Sequence, residues 1–337
     1  MRTDRIGEVL LSTIAVDRIK KRYPEARVSF VTSEYAKDIV SGRRDVSEII
    51  TVDTMDNKWW LVKAVLLGSS LRKRHFDAAV VLNPHRALHV ACFLAGIPER
   101  IGYDRKWGFL LNRTIRDERD KGEKHEIEYT MDLLNVMGID TAAPAPELPV
   151  DRETEDFISG FLSRNGIRPD RPLLIIHPGS SNPAKMWPAD RYAELITRLR
   201  SSLDCQVAVV GDKKEREPAE RVVRESKADV YDLSGEFDLK GLAAFLKTSA
   251  LLITNDTGPM HMAAALGVPV IAIFGRNIPG AGPVRWRPWG EGHVVFHEDP
   301  GCAPCYDTAC PYDHKCLRAV TVDAVLGAAL RILSKRK

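Results

Sequence analysis

The sequence predicts an α/β fold with parallel sheets, divided into two domains. Three observations predict it. Short apolar runs recur along the chain, each closed by a turn rich in Gly, Ser, Asn or Pro and followed by helical periodicity, the rhythm of a parallel sheet. The chain has 337 residues, enough for two domains of ordinary size. Asp140 to Pro149 contains three prolines and three alanines and reads as a linker, so the expected domains are residues 1–150 and 151–337.

The composition, 44% hydrophobic and 28% charged, is that of a soluble globular protein. No apolar run approaches the roughly 18–20 residues that span a bilayer. No apolar signal segment stands at the N-terminus, so the sequence predicts a cytoplasmic protein with reduced cysteines. The net charge of +3 conceals an asymmetry. Residues 1–116 hold 21 Lys/Arg against 13 Asp/Glu, and residues 117–150 hold 3 against 9. A basic surface suits an anionic partner, whether nucleic acid, anionic lipid or phosphorylated glycan. The plainer reading is a solubilising surface.

Along the first half, Arg2 to Thr13 reads as a turn entering a helix. Gly7 permits the turn, Glu8 marks the helix start, and Val9, Ile14, Val16 and Ile19 supply an amphipathic face ending near Tyr23-Pro24. Arg27 to Val31 and Asp77 to Leu82 read as strands. Asn83 to Arg86 is the turn after the second, and Ala87 to Ala95 the helix that follows. His85 and Arg86 fall where active-site loops gather in an open sheet; they suit an anionic acceptor or serve as ordinary loop residues. Helices are expected from Glu126 to Met137 and from Glu155 to Asn165.

The second half opens with a buried strand, Pro172 to His177. The loop Pro178 to Pro188 offers backbone N–H groups, the hydroxyls of Ser180 and Ser181, and Lys185: the parts of a phosphate cradle, without Walker spacing. Gln206 to Val210 is the next strand, and Leu239 to Leu246 a helix. Ser249 to Gly275 is a complete βαβ unit. In it Leu251 to Thr254 is a strand, Thr257 an N-cap, Met260 to Leu266 a helix and Val270 to Phe274 a strand. Its helix N-terminus at a sheet edge favours a phosphate, and Thr257 and His261, four residues apart, share a helix face. The plainer reading of His261 is a core or solvated histidine. Cys302, Cys305, Cys310 and Cys316 form a dense cluster that is either a structural zinc site or four unligated thiols. Val322 to Ser334 is a final helix.

Three segments carry a family resemblance. They are R-x-D-x-I-G-E-V at residues 2–9, H-P-G-S-S-x-x-x-K-x-W-P at 177–188, and D-T-G-x-x-H with A-A-A-L-G-x-P at 256–269. Together they resemble glycosyltransferase family 9, the ADP-heptose:lipopolysaccharide heptosyltransferases. The resemblance implies the GT-B arrangement, two facing Rossmann-like domains. The C-terminal domain would bind the nucleotide sugar and the N-terminal domain the acceptor. By the same resemblance Ser180, Ser181 and Lys185 contact the donor diphosphate. Asp256, Thr257, Gly258 and His261 surround the diphosphate and sugar, and Gly211 and Ser234 lie near the adenosine. The family's catalytic base is an Asp after the glycine, so Glu8 takes that role here with one methylene more. Met186 stands where the family usually has Arg. The family also has an apolar strand directly before the opening arginine, so either the start site lies upstream of Met1 or this domain lacks its first strand.

The implied reaction is inverting transfer of a heptose or related sugar from an ADP-sugar to lipopolysaccharide core or a similar glycan. It would take place at the inner face of the cytoplasmic membrane, with no nucleic-acid partner and no metal required for catalysis. A nucleotide-sugar epimerase and a non-catalytic nucleotide-sugar or glycan-binding homologue share these features.

Overall fold

The computed structural model describes the chain except for residues 54–56, 141–144, 303–304, 306–309 and 336–337. It divides into two compact units, Met1–Glu147 and Leu148–Lys337.

In the first unit β1 (Ser29–Ser33) pairs in parallel with β2 (Glu48–Val52). Separately, β3 (Ala78–Val81), β4 (Glu99–Tyr103) and β5 (Arg113–Ile115) form a parallel three-stranded sheet. Met1 and Arg2 lie between the two sheets. The Arg2 amide donates to the Val31 carbonyl at 2.9 Å and the Leu82 amide to the Met1 carbonyl at 3.0 Å. Beside them is a cavity of about 840 Å³, lined by residues such as Phe30, Val31, Ala78, Val80 and Ile97. None of the candidate site residues lines it.

The opening segment departs from its expected form. Arg5 is extended and acts as N-cap, so the helix Ile6–Ser12 already includes Gly7, which is helical rather than a turn. A second helix, Ile14–Arg22, follows directly. The break falls at Thr13, whose hydroxyl donates to the Leu10 carbonyl and competes with helical continuation.

The second unit is one six-stranded parallel sheet. Its strands are β6 (Leu173–His177), β7 (Gln206–Val209), β8 (Tyr231–Asp232), β9 (Leu251–Asn255), β10 (Val270–Phe274) and β11 (Val294–His297). Their order is β11-β10-β9-β6-β7-β8. β6, β7, β9 and β10 are buried at every residue, which explains their unbroken apolar runs. One core packs Leu174, Ile176, Val207, Ile253 and Ile271 with Leu195 and Ile196 of helix Ala189–Ser202 and Val325 and Ala329 of helix Val322–Ser334. Each such Leu, Ile or Val, fully buried, contributes about 1.5–3 kcal/mol.

The chain winds from β6 outward to β8, then returns to lay β9 on the other side of β6 and winds outward again to β11. The direction therefore reverses between β6 and β9. In an open α/β sheet the loops diverge at such a point and leave a crevice at the carboxyl ends of the strands.

Candidate active site

The loops leaving β6 and β9 are those that carry the two phosphate-suited motifs, so the topology places both at the switch point. Asn255, the last residue of β9, ties them together. Its amide nitrogen donates to the Pro178 carbonyl at 2.8 Å. Its amide oxygen accepts from the Trp187 backbone at 2.9 Å and from the Tyr192 hydroxyl at 3.0 Å. Asn255 is fully buried and these bonds meet its polar demand, so the β6 loop is held at both ends.

Within that frame the Lys185 ammonium pairs with the Asp256 carboxylate. Lys185 stands in a short 3₁₀ turn, Pro183–Lys185, capped by the Asn182 side chain, which accepts from the Ala184 amide. Ser180 accepts from the Asn182 amide at 3.2 Å, and Ser181 is exposed. Asp256 is nearly buried, so an anion entering here meets a lysine whose charge is already partly matched.

Thr257 is the N-cap of helix Gly258–Ala265 in extended backbone, as the sequence predicts, but its hydroxyl makes no cap bond. It lies instead 3.1 Å from the Thr254 hydroxyl and 3.4 Å from His177 Nδ1. The first-turn amides of the helix are left to other partners, which is the condition for an anion site at a helix start. His261 is buried on that helix, with its ring 6.4 Å from the Trp286 ring.

Sequence reasoning missed three residues of this site. His177 opens one quoted motif but reads as the end of a strand, and Asn255 stands one residue before another, between the expected strand and the N-cap. Glu215 gave no local signal at all. His177 Nε2 lies 3.1 Å from Glu215 Oε2, and its Nδ1 3.2 Å from the Thr254 hydroxyl. Burial alone would raise the Glu215 carboxyl. The hydrogen bond and charge of His177, with the Asp212 amide, hold it below the usual carboxylate range. Glu215 also explains Gly179, because a Cβ there would lie 2.5 Å from the Glu215 carboxyl carbon.

Gly211 and Ser234 follow β7 and β8, and the Gly235 amide donates to the Gly211 carbonyl at 2.8 Å. Ser234 is buried and its hydroxyl donates to Asp232 at 2.7 Å, so it shapes its own turn.

In the first unit Glu8 holds the third position of helix Ile6–Ser12. Burial raises its carboxyl above the ordinary range, the nearby Asp4 carboxylate adds to this, and Arg2 opposes it. A helix start favours an ionised carboxylate, and here desolvation outweighs that influence. The hydrogen bond that favours the ionised form of Glu8 comes from its own backbone amide. Behind it Arg2 is buried, with Nε donating to Asp4 at 2.7 Å and Nη1 to Glu126 at 2.7 Å and to the Leu82 carbonyl at 3.3 Å. Arg119 reaches the same carbonyl at 3.3 Å and grips Asp117 through two bonds. His85 caps helix Arg86–Leu94 by accepting from the Ala87 amide, and Arg86 lies 4.3 Å over the Trp60 ring.

A tetrahedral zinc needs its thiolates gathered around one point. Among the described residues no three His, Cys, Asp or Glu side chains are so gathered. Cys310 Sγ accepts from the His314 amide at 3.3 Å, and Cys316 is buried, which raises its thiol.

The family described as glycosyltransferase family 9 (heptosyltransferase) matches residues 65–316. Lipopolysaccharide heptosyltransferase 2 of Salmonella typhimurium is 28% identical over 289 residues, covering 82% of each chain. The structure of Escherichia coli ADP-heptose lipopolysaccharide heptosyltransferase II superposes with a TM-score of 0.81 at 24% identity, covering 99% of this chain and 98% of that one. Escherichia coli heptosyltransferase WaaC with ADP superposes with a TM-score of 0.71 at 19% identity, covering 98% and 99%. These likenesses show the fold, α/β with parallel sheets in the GT-B class.

Proposed function

This chain belongs to glycosyltransferase family 9 and is a glycosyltransferase, and from that premise we propose that it moves a heptose or related sugar from an ADP-sugar to lipopolysaccharide core or a similar glycolipid, with inversion at the anomeric carbon. One observation carries the donor assignment. The two motifs suited to phosphate leave adjacent strands at the sheet's switch point and are joined there by the Lys185–Asp256 pair. On this reading the second unit holds the ADP-sugar and the first unit holds the acceptor.

The chemistry follows from the residues. Glu8 removes the proton of an acceptor hydroxyl. The oxygen forms a bond to the anomeric carbon as the bond from that carbon to the β-phosphate oxygen breaks, and ADP departs with the electron pair. A carboxyl raised by burial is a better base near neutrality than an ordinary one. Lys185, the Thr257 hydroxyl and the first-turn amides of helix Gly258–Ala265 stabilise the charge that develops on the diphosphate. No step is routed through a metal. The acceptor's lipid places the enzyme at the inner face of the cytoplasmic membrane. No helix among the described residues is long and apolar enough to cross one.

The test is direct. The protein is incubated with ADP-heptose and a heptose-deficient lipopolysaccharide. ADP release, together with an acceptor heavier by one heptose in the mass spectrum and carrying the inverted anomer by NMR, is the expected result. Unchanged ADP-heptose across a panel of such acceptors would sink the reading.

A further inference from the structure

Helix Trp60–Arg72 carries more apolar surface than its packing uses. Ala64, Leu67, Gly68 and Leu71 recur at helical spacing and form its buried stripe. The helix crosses Arg86–Leu94 so closely that a Cβ at Gly68 would lie 3.0 Å from the Ala91 carbonyl oxygen. Val62, Val65 and Leu66 lie on the side away from that crossing, and Leu61 extends the stripe toward the start of the helix; all four are exposed.

The uncovered surface continues beyond this helix. Phe93 and Leu94 end the neighbouring helix and are exposed. The Trp107 ring meets the Trp60 ring edge-on at 5.7 Å and lies 6.0 Å from the Phe109 ring, which is 79% exposed. Of the fourteen large apolar residues exposed among the described residues, nine fall in the segments 59–66, 93–94 and 107–109. Scattered singly they would need no explanation; gathered on three contacting elements they form a patch.

The charge around the patch selects its partner. Residues 58–74 carry Lys58, Lys63, Arg72, Lys73 and Arg74 with no carboxylate. Arg105 and Lys106 precede Trp107. Three of these bases are already paired, Lys63 with Asp53, Arg74 with Glu48 and Arg105 with Asp117, so the charge offered to a partner rests chiefly on the exposed Lys58, Arg72, Lys73 and Lys106. Lys58 lies 5.7 Å from the Trp59 ring centroid, a cation beside an exposed indole. An aliphatic face with tryptophans at its margin and bases around it matches the boundary between acyl chains and anionic headgroups. A second copy fits less well, because a two-fold pairing of this face would set its bases against themselves.

We propose that this face docks on an anionic lipid bilayer. Leu61, Val65, Leu66 and Phe109 enter the boundary of the acyl region, and Lys58, Lys73 and Lys106 meet lipid phosphates. The proposal deepens the reading of the acceptor as a membrane glycolipid by naming the surface that brings the enzyme to it. It is tested without that acceptor, so the two can fail separately.

The full chain is floated with vesicles of phosphatidylcholine, and with vesicles in which a quarter of the lipid is phosphatidylglycerol. Neither carries a glycan. The expected result is binding to the anionic vesicles that weakens as salt rises, with little binding to the neutral ones. Leu66→Glu combined with Phe109→Glu lowers binding about tenfold or more, while ADP affinity and the melting midpoint stay at the parent's values, since both side chains are exposed. Lys58→Glu with Lys73→Glu lowers binding and flattens its salt dependence. Three results overturn the proposal: no anionic-vesicle binding at low salt, undiminished binding by the Leu66/Phe109 variant, or a dimer in light scattering that Leu66→Glu dissolves while the parent ignores vesicles.

Discussion

The Lys185 ammonium closes onto the Asp256 carboxylate between the loops of two adjacent strands, so the cation assigned to the donor diphosphate is already committed to an acid. On that assignment Lys185→Ala removes a charge-assisted contact to the diphosphate, and it strands a nearly buried carboxylate. ADP affinity should fall by about 1.5–3 kcal/mol, measured by calorimetry. Asp256→Asn frees the lysine, so ADP alone should bind as well or better. An unchanged affinity in Lys185→Ala would remove that residue from the site.

For Glu8 the expected signature is kinetic. Glu8→Gln should lower kcat by about 10²–10⁴ with donor affinity nearly unchanged, and Glu8→Asp should retain part of the activity. If Glu8→Gln turns over at the parent rate, the base lies elsewhere and Asp4 is the next residue to substitute.

The pH dependence of Glu8 follows from its raised carboxyl. Activity needs the ionised form, so it is lost as pH falls through a value above the ordinary carboxylate range. Stability runs the other way. A carboxyl raised by folding adds stability below its unfolded value, and that contribution is lost as pH rises through its folded value. Above its folded value the ionised Glu8 therefore destabilises the fold, and there Glu8→Gln should melt higher than the parent while being slower. Asp4→Asn removes one of the raising influences, so the acid limb of kcat/KM should move down.

Gly179 tests the packing beneath the β6 loop. Its Cβ in Gly179→Ala would lie 2.5 Å from the Glu215 carboxyl carbon and 2.9 Å from the Glu215 Cβ, so the side chain must move and give up its bond to His177. The cost should be about 1–3 kcal/mol in chemical unfolding, with weaker ADP binding. Glu215→Ala relieves the clash in the double variant, which should recover part of the loss. The Glu215 carboxyl lies below its ordinary value, so its stabilising contribution is present above the unfolded value and fades in acid below it.

The cysteine cluster should be dispensable for donor binding. ADP affinity is expected to survive mild chelation, and native mass spectrometry of the intact protein measures any bound metal. Loss of ADP binding on chelation would refute this.

What the sequence disclosed depended on how local each signal was. β6, β9 and β10 are unbroken apolar runs because they are buried on both faces, and they were legible. β8 is two residues long and β2 is half exposed, so neither announced itself. Lys185, Thr257 and His261 could be named from their turns, yet nothing in the order of residues says that β9 lies beside β6. Glu215 was invisible because its partners, His177 and Gly179, are more than thirty positions away. Gly7 misled because glycine is read as a turn, whereas here the extended Arg5 starts the helix one residue before it.

The web behind Glu8 bears on how this chain can be recombined. Arg2 and Asp4 come from the first residues, while Glu126, Arg119 and Asp117 arrive more than a hundred positions later. Grafting the opening segment of a relative onto this chain, with a junction anywhere from residue 10 to residue 115, parts the two groups. Where the relative lacks the arginine at position 2 or the acid at position 126, a charge is then left buried without its counter-charge, a loss of roughly 3–5 kcal/mol. Chimaeras that exchange the whole of residues 1–135 keep the set intact. Shuffled libraries should therefore recover folded clones with positions 2 and 126 inherited from one parent.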